Sequence, residues 1–399
     1  MSTNTATLTD ADRGIWLDAY RVSEADGVQL AGAKGWSVSK KTLRGGTSEG
    51  VDVVEIDNGA LSVSILPTRG MGLWKGSYQN VPIGWRSPVE RPVNPAFVNL
   101  TERSGLGWLA GFNELLCRCG LSWHGAPGLD VINDSNGNSM ETPLTLHGKI
   151  ANTPAHHVEI SLSDDGPGKL AVTGTVDETM LFGPCLRLVS RVETEAGSNR
   201  LTILDRVTNI AGQPAEFELL YHTNLGPPFL ERGSTFHAPF SQVAPSDPGS
   251  AKDIETWTEY LGPTAGYIEQ CYFNELRSNE QGETLVLLEN AAADKGLSLH
   301  FNRRQLPAFT LWKNTQTEAD GYVTGMEPGT SLPNLKSFER EQGRIITLSP
   351  GESYDTRLEL AVHIGKAAVA QTREHIERLA ADIDAVVHPQ PHPNFSPGA

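Results

Sequence analysis

Four segments of the sequence each place one ionisable side chain beside glycine, proline or asparagine at the end of an apolar run. They are LPTRGMG around Arg69, TLHGK around His147, LLYHTNLG around His222 and GMEPGT around Glu327. A carboxylate can accept a proton from a hydroxyl, a histidine can return one near neutral pH, and an arginine can hold a developing oxyanion. Together the four side chains predict a site that binds a neutral polar ligand and moves protons on it.

The local sequence favours a different role for each of these residues. His222 ends the run FELLYH, so a strand would deliver its ring to a rim containing glycine and proline, where it could act as a general acid. Glu327 lies between methionine and proline, and partial burial would raise its pKa toward the range of a general base. Arg69 and His147 could orient the ligand. Each residue taken singly is also compatible with a structural role, and only the combination favours chemistry.

Further residues have side chains suited to a sugar-like ligand. Trp312 could stack on the apolar face of a pyranose ring, and so could Trp108 or Trp123. Asn113 and Lys313 could form hydrogen bonds with ligand hydroxyls. Core packing or solvent exposure is the alternative for every one of them. Of this group, Trp312, Asn113 and Lys313 are the residues we predict to bind substrate.

The sequence predicts neither a metal nor a cofactor. It has 11 histidines but no HExxH pattern, and Cys117 and Cys119 form CxC, which does not match the usual CxxC metal spacing. Neither a GxGxxG turn following a strand nor a GxxxxGK[ST] loop is present. Dinucleotide and P-loop chemistry are therefore disfavoured.

Composition narrows the choice of partner. The 399 residues include 32 Lys plus Arg against 48 Asp plus Glu, giving a formal net charge of −16. This balance repels phosphate backbones and anionic lipid, so we expect no nucleic-acid partner and no membrane partner. A small neutral carbohydrate is compatible with it. The start MSTNTATLTDADRGIW lacks a secretory pattern, and the four cysteines are too few for a disulfide framework. We therefore expect a cytoplasmic protein with reduced thiols.

The elements that position these residues are predicted to be strands. VDVVEI, the turn DNG and LSVSIL read as a hairpin, because apolar and polar residues alternate on both sides of a tight turn. The same alternation recurs along the chain with turn signals at short intervals, which is typical of an antiparallel sandwich or barrel. The predicted fold class is all-β.

The chain divides by composition into four parts. We predict an N-terminal lead-in at 1–45, with a short helix from Thr9 to Tyr20, followed by the β domain at 46–365. Within that domain, 82–145 reads as a loop-rich insertion. A C-terminal helix at 366–387 is predicted from apolar residues spaced three and four apart. The proline-rich residues 388–399 are expected to be disordered.

On its four polar segments the chain resembles the aldose 1-epimerase (galactose mutarotase-like) superfamily, over most of residues 50–363. The resemblance implies a large twisted antiparallel β-sandwich with the sugar bound in a cleft on one sheet. It also implies that Glu327 takes the proton of the anomeric hydroxyl, that His222 protonates the ring oxygen, and that His147 and Arg69 orient the sugar. The acidic substrate contact of that family has no clean counterpart here, and Asp253 is a candidate.

The sequence therefore predicts a carbohydrate isomerase that interconverts anomers by proton transfer between Glu327, His222 and the sugar. Two alternatives remain open. A lyase or hydrolase acting on a sugar derivative could use the same scaffold, with Arg69 supporting an enolate. A non-catalytic sugar-binding protein could use the same residues without turnover.

Overall fold

Two large β-sheets make up most of the molecule. The computed structural model describes residues 3–28, 30–32, 34–133, 135–164, 166–381 and 384–398. The strands of the first half are β1 (Thr3–Asp10), β2 (Ile15–Trp16), β3 (Ala19–Ser23), β4 (Ser37–Thr42), β5 (Asp52–Asp57), β6 (Leu61–Leu66), β7 (Gly72–Tyr78), β8 (Val81–Ile83), β9 (Leu116–Leu121), β10 (Gly128–Asn133), β11 (Ser139–Leu144), β12 (His157–Ser163) and β13 (Lys169–Thr179). Those of the second half are β14 (Cys185–Glu195), β15 (Arg200–Asn209), β16 (Ala215–Leu225), β17 (Thr235–His237), β18 (Phe240–Pro245), β19 (Gln270–Leu276), β20 (Glu283–Glu289), β21 (Lys295–Asn302), β22 (Ala308–Asn314), β23 (Val323–Gly329), β24 (Ile346–Leu348), β25 (Ser353–Ile364) and β26 (Val386–Val387).

Helices are short apart from one near the C-terminus. The α-helices are α1 (Glu102–Gly105), α2 (Lys336–Glu341) and α3 (Lys366–Ala380). Single 3₁₀ turns span Glu24–Asp26, Gly46–Ser48, Pro67–Arg69, Pro95–Phe97, Gly107–Gly111, Ile150–Asn152, Ser250–Thr256 and Glu318–Asp320. The C-terminal helix predicted at 366–387 forms as α3 but ends at Ala380, and the two-residue strand β26 lies at the end of the predicted range.

The described strands pair mainly antiparallel. The first sheet has the order β17-β20-β21-β25-β15-β14-β13-β12-β1-β2, and the second has the order β26-β18-β19-β22-β23-β16-β9-β7-β6-β5-β4-β3 with β24 and β8 attached at β16 and β7. Strands β10 and β11 form a separate hairpin. The predicted all-β sandwich is confirmed, as is the hairpin of β5 and β6, whose register pairs Asp57 with Ser62.

Alternating burial along the strands places the main core between the two sheets. In β14 every second residue is buried, including Leu186, Leu188 and Val192, and these side chains belong to one apolar cluster with Leu219 of the other sheet. Burying this apolar surface is the main favourable contribution to sandwich stability. The opposite face of the second sheet is therefore free to carry a site.

The N-terminal segment differs from its prediction. The helix expected from Thr9 to Tyr20 is wrong, because residues 3–10 form β1 and pair with β12 at the edge of the first sheet. Asp10 accepts a hydrogen bond from the backbone N–H of Arg13 at 3.0 Å, so it stabilises a turn between β1 and β2 and caps no helix. Leu8 is fully buried in the core, and β3 and β4 extend the second sheet. The lead-in is thus part of the sandwich.

The two segments expected to be loop-rich or disordered are also structured in part. Within 82–145 the strand β9 lies centrally in the second sheet, between β7 and β16. Near the C-terminus, Phe395 packs against a small cluster of Phe273, Ala308 and Leu332, and the hydroxyl of Ser396 donates to the backbone oxygen of Ser246 at 2.6 Å. The half-buried ring of Phe395 and the hydrogen bond of Ser396 explain why a proline-rich segment is held against the sheet here.

Candidate active site

A cavity of about 460 Å³ lies on the face of the second sheet that points away from the core. Neighbouring strands β16, β23 and β22 form its floor. Because side chains alternate along a strand, Tyr221 and Met326 point into the core, while His222, Trp312 and Glu327 line the cavity. The loops around residues 106–112, 126–127, 146–147 and 333–335 cover it, together with Pro397.

His222 and Glu327 meet at the floor of this cavity. The Nε2 atom of His222 lies 3.2 Å from Oε1 of Glu327, and both side chains are almost completely buried. The two atoms are close but not aligned as a hydrogen bond, and among the described residues Oε1 has no hydrogen-bond partner. A ligand hydroxyl entering the cavity could therefore bond to both groups.

Burial controls the protonation of Glu327. Its pKa is raised well above the ordinary value, first by desolvation and then by the negative charge of Glu269. No arginine or lysine lines the described cavity wall to offset this effect. A carboxyl group in such surroundings favours its protonated form more than an exposed carboxyl group does.

His222 is held in one tautomer by Asn224. The Nδ1 atom of His222 lies 2.5 Å from Oδ1 of Asn224, while the amide nitrogen of Asn224 donates to the backbone oxygens of Glu114 and His222, each at 3.0 Å. The amide orientation is thereby fixed, so Nδ1 must carry the hydrogen and Nε2 of the neutral ring faces Glu327 as an acceptor. Desolvation and the nearby ring of His147 lower the pKa of His222 well below its ordinary value.

His147 enters the cavity from the loop that covers it. Its backbone adopts φ of 58°, and the following Gly148 has φ of 71°, where an added Cβ would lie 2.2 Å from the backbone oxygen of Trp123. This strained turn brings the His147 ring edge-on to Trp108 at 4.6 Å and to His222 at 5.4 Å between centroids.

The ring of His147 is neutral and oriented. Its Nδ1 lies 2.9 Å from the backbone oxygen of His124, which can only accept, so Nδ1 carries the hydrogen and Nε2 remains an acceptor. Desolvation lowers the pKa of His147 to about 4. At neutral pH it can therefore accept a hydrogen bond from a ligand hydroxyl.

Gly325 keeps the space between these groups open. A Cβ at this position would lie 2.4 Å from Oε1 of Glu327, 3.1 Å from Cε1 of His222 and 3.2 Å from Cε3 of Trp312. Gly325 is not among the site residues predicted from the sequence. The signal available was its position two residues before Glu327, which places both on the same face of a strand.

An acidic residue that sequence reasoning missed also lines the cavity. Glu269 precedes β19, and its Oε2 accepts a hydrogen bond from the indole N–H of Trp312 at 2.8 Å. Trp312, predicted as a binding residue, is thus placed and oriented at the cavity. Asp253, the candidate acidic contact, instead accepts from the side-chain amide of Gln270 and does not line the cavity. No pattern around Glu269 marks it, because it lies in a loop.

Arg69 and Asn113 do not reach the cavity, so their predicted ligand contacts are corrected. The guanidinium of Arg69 is fully buried, bonded to Glu114 at 2.6 Å and to Asn152 at 2.9 Å, and it packs under Gly111 of the covering loop. The side-chain amide of Asn113 donates to the backbone oxygen of Val89 at 3.0 Å. Both residues support the covering loops from behind.

Lys313 is a second correction, because it points to the opposite face from Trp312. Its ammonium group donates to the backbone oxygens of Trp257 at 3.1 Å and Glu259 at 2.7 Å, and lies over the rings of Tyr260 and Tyr272. Burial lowers its pKa to about 8. Consecutive strand residues face opposite sides, so Trp312 and Lys313 cannot contact one ligand.

Two further findings concern the described residues as a whole. Among them, no group of three or more His, Cys, Asp or Glu side chains is placed to hold a metal ion. Every helix in the same set is too short or too polar to cross a membrane.

Comparison with known proteins identifies the family. Residues 48–362 match the family described as "Domain of unknown function (DUF4432)". The chain belongs to this family. A provisionally named aldose 1-epimerase from Klebsiella pneumoniae subsp. pneumoniae is 36% identical, covering 97% of this chain and 98% of that chain, with a TM-score of 0.90. No curated protein matches the sequence.

More distant solved structures share the DUF4432 fold. A galactose 1-epimerase from Lactobacillus acidophilus is 15% identical with a TM-score of 0.53, over 82% of this chain and 98% of that chain. A galactose mutarotase-like protein from Clostridium acetobutylicum is 17% identical with a TM-score of 0.53, over 80% and 97% of the two chains. At these identities the likeness shows the fold alone. The predicted resemblance to the galactose mutarotase-like superfamily is confirmed, and the chain has a sugar epimerase-like sandwich.

Proposed function

We propose that this protein is a carbohydrate isomerase that interconverts the anomers of a free sugar, with Glu327 as general base and His222 as general acid. One observation carries the proposal: an acid–base pair 3.2 Å apart at the floor of a cavity large enough for a sugar. The names of the Klebsiella pneumoniae and Lactobacillus acidophilus proteins support the same reaction class.

The chemistry needs one proton removed and one delivered. Ionised Glu327 takes the proton of the anomeric hydroxyl while protonated His222 gives its Nε2 proton to the ring oxygen, so the bond between the anomeric carbon and the ring oxygen breaks. Rotation about the adjacent carbon–carbon bond and reclosure from the other face return both protons. The open-chain aldehyde is the only intermediate required.

The electrostatics of the pair suit this cycle. Ring opening leaves Glu327 protonated and His222 neutral, which is the state that burial favours for both groups. The pair holds a single proton in either state, so its net charge stays constant while the proton moves. A buried site therefore avoids creating an uncompensated charge during the reaction.

The remaining cavity residues fit roles in holding the sugar. His147 can accept a hydroxyl hydrogen at Nε2, and Glu269 can accept others at the oxygen not used by Trp312. The indole of Trp312 offers a face for the apolar side of a sugar ring. Lyase action has less support, because Arg69 is occupied by Glu114 and Asn152 and no other cation lines the described cavity to stabilise an enolate.

Anomer exchange measured by NMR across a panel of neutral aldoses tests the proposal. On any sugar that the wild type turns over, Glu327→Gln and His222→Asn should each lower the exchange rate by about 10²-fold or more. Glu289→Gln and His300→Asn are matched controls, since they change a buried glutamate and a half-buried histidine on the first sheet, away from the cavity. Both controls should keep the wild-type rate.

The outcomes separate the alternatives. Wild-type exchange rates in both Glu327→Gln and His222→Asn would show that the pair does not carry the reaction. Sugar binding without turnover of any aldose would instead identify a binding protein. Circular dichroism and melting temperature for each variant would show that the fold is retained.

A further inference from the structure

The two halves of the cavity differ sharply in polarity. The sheet side contributes His222, Glu327, Trp312 and Glu269. The covering side contributes the polar residues His147 and Asn334, but most of its lining is apolar and includes Leu106, Leu109, Pro127, Leu146, Leu335 and Pro397. A ligand in this cavity therefore has one edge against hydrogen-bonding groups and another edge against hydrocarbon.

Several of the polar groups that line the cavity are already committed within the protein. The hydroxyl of Ser246 donates to Asp247 at 2.7 Å, and the amide nitrogen of Asn334 donates to Glu339 at 2.7 Å and to the backbone oxygen of Phe395 at 2.8 Å. The indole N–H of Trp312 is used by Glu269. The side chains left for a ligand are chiefly His222, Glu327, His147 and one oxygen of Glu269, so the hydrogen bonds that the described side chains offer a ligand are concentrated at these four residues.

The cavity is also unsuited to anionic sugars. Its described lining contains two glutamates and neither lysine nor arginine. Arg69 and Lys313, the two cations that the sequence predicted to contact a ligand, are bonded elsewhere. A phosphate, sulfonate or uronate group would enter without a counter-ion.

The apolar residues of the covering side, which we call the apolar wall, are held in place by contacts with the rest of the protein. Pro397 follows Ser396, whose hydroxyl donates to Ser246, and Phe395, whose ring packs on Phe273. Leu109 lies on the 3₁₀ turn supported from beneath by Arg69. The wall is thus built into the fold, and a ligand must match it.

We propose that the preferred substrate is an uncharged deoxysugar, whose anomeric edge meets Glu327 and His222 and whose deoxygenated edge lies against the apolar wall. The inference rests on the proposed function and names its substrate class. A hydroxyl facing leucine and proline side chains would lose its water without gaining a partner, whereas a methyl or methylene group there is buried favourably.

Binding calorimetry with matched sugars tests the substrate class. D-glucose and D-galactose are each compared with their 2-, 3-, 4- and 6-deoxy counterparts, and with the corresponding uronates and 6-phosphates. At least one deoxysugar should bind with a Kd about tenfold or more lower than its parent. The inference is overturned if no deoxysugar reaches that difference or if a charged derivative binds most tightly.

Because Kd is measured without turnover, this outcome is independent of the proposed reaction. Absence of anomer exchange would reject the isomerase, while the ratio of Kd values would still report the substrate class. A preference for parent sugars combined with rapid exchange would reject the deoxysugar as the substrate class and support the isomerase.

A paired substitution assigns the preference to the wall. Leu109, which is 42% exposed at the cavity, is changed to Asn, and Leu181, which is 80% exposed on the turn between β13 and β14, receives the same change as a control. Leu109→Asn should reduce the ratio of parent Kd to deoxysugar Kd by about tenfold, because the new amide can bond to a hydroxyl. Leu181→Asn should leave the ratio unchanged. An unchanged ratio in Leu109→Asn would show that the wall does not select the sugar.

Discussion

Two adjacent residues of β16, Tyr221 and His222, lie beside two buried carboxyl groups on opposite faces of the sheet. These carboxyl groups, of Asp205 and Glu327, differ in their hydrogen-bond partners. On the core side, Arg118 of β9 bonds to both carboxylate oxygens of Asp205, at 2.5 and 3.0 Å, and the hydroxyl of Tyr221 donates to the same group at 2.8 Å. On the cavity side, the ring of His222 approaches Glu327 without being aligned for a hydrogen bond, and Oε1 of Glu327 accepts no hydrogen bond within the part of the chain that the structure describes. Asp205 and Glu327 are each 2% exposed.

The comparison shows that burial alone does not make a carboxyl group reactive. Asp205 is surrounded by a cation and donors that satisfy its charge, so it joins the two sheets as a structural ion pair. Glu327 lacks such partners, and desolvation therefore raises its pKa. What distinguishes the candidate catalytic site is the absence of fixed donors around the described Glu327 carboxyl, which leaves its hydrogen bonds for a ligand.

Removing each carboxylate should have opposite consequences for stability. Asp205→Asn leaves the buried guanidinium of Arg118 without its counter-charge, so the free energy of unfolding should fall by about 3–5 kcal/mol. Glu327→Gln removes a carboxyl whose raised pKa costs stability at neutral pH, so the free energy of unfolding should rise. Urea unfolding of both variants at neutral pH measures the difference. Equal losses in the two variants would contradict the contrast.

The stability of the Glu327→Gln variant should also depend on pH. The pKa of Glu327 is higher in the folded protein than its ordinary value of 4.5, so its contribution to stability is present below that value and is lost as the pH rises through the folded-state pKa. The stability of Glu327→Gln relative to wild type should therefore improve as the pH rises.

Filling the open space on the cavity side should impair activity while sparing the fold. Gly325→Ala puts a Cβ against Oε1 of Glu327 and should lower kcat/KM by between about tenfold and a hundredfold. Gly212→Ala is the matched control, because its Cβ would meet no atom within 4 Å. Steady-state kinetics and melting temperatures of both variants test this. Full activity in Gly325→Ala would show that the space beside Glu327 is not used by substrate.

The smallest expected effect is that of pH on the wild-type rate near neutrality. The pKa of His222 is lowered and that of Glu327 is raised, so the pair keeps a single proton over a wide range. The rate should stay nearly constant between about pH 6 and pH 8 and fall at both extremes, where the pair gains or loses a proton. A tenfold change within that range would show that the pair is not the titrating unit.

Much of this arrangement could be predicted from the sequence, because alternation along strands is a local property. It predicted the hairpin of β5 and β6 and the all-β sandwich. It also placed His222 and Glu327 at strand ends, whereas β16 continues to Leu225 and β23 to Gly329, so both residues lie within strands. Alternation along the strand could also have excluded Lys313 as a contact to the same ligand as Trp312, since Trp312 precedes it directly and faces the cavity.

The remaining features depend on contacts between distant segments, which local patterns do not encode. Arg69 occupies a turn suited to a ligand, yet its guanidinium donates a hydrogen bond to Glu114, which lies 45 residues later in the chain. Glu269 reaches the cavity only because its loop lies beside Trp312. The segment from Thr9 to Tyr20 has helix-like capping residues, but pairing of β1 with β12 overrides them.

The cavity wall draws on residues from Leu106 to Pro397, so segments far apart in the chain contribute to it. A fragment lacking either the first covering loop or the last anchored segment would contain the acid–base pair but not the enclosure around it. Affinity for a sugar ligand would then serve as a measure of completed folding, sensitive to damage that leaves the secondary structure of the sandwich intact.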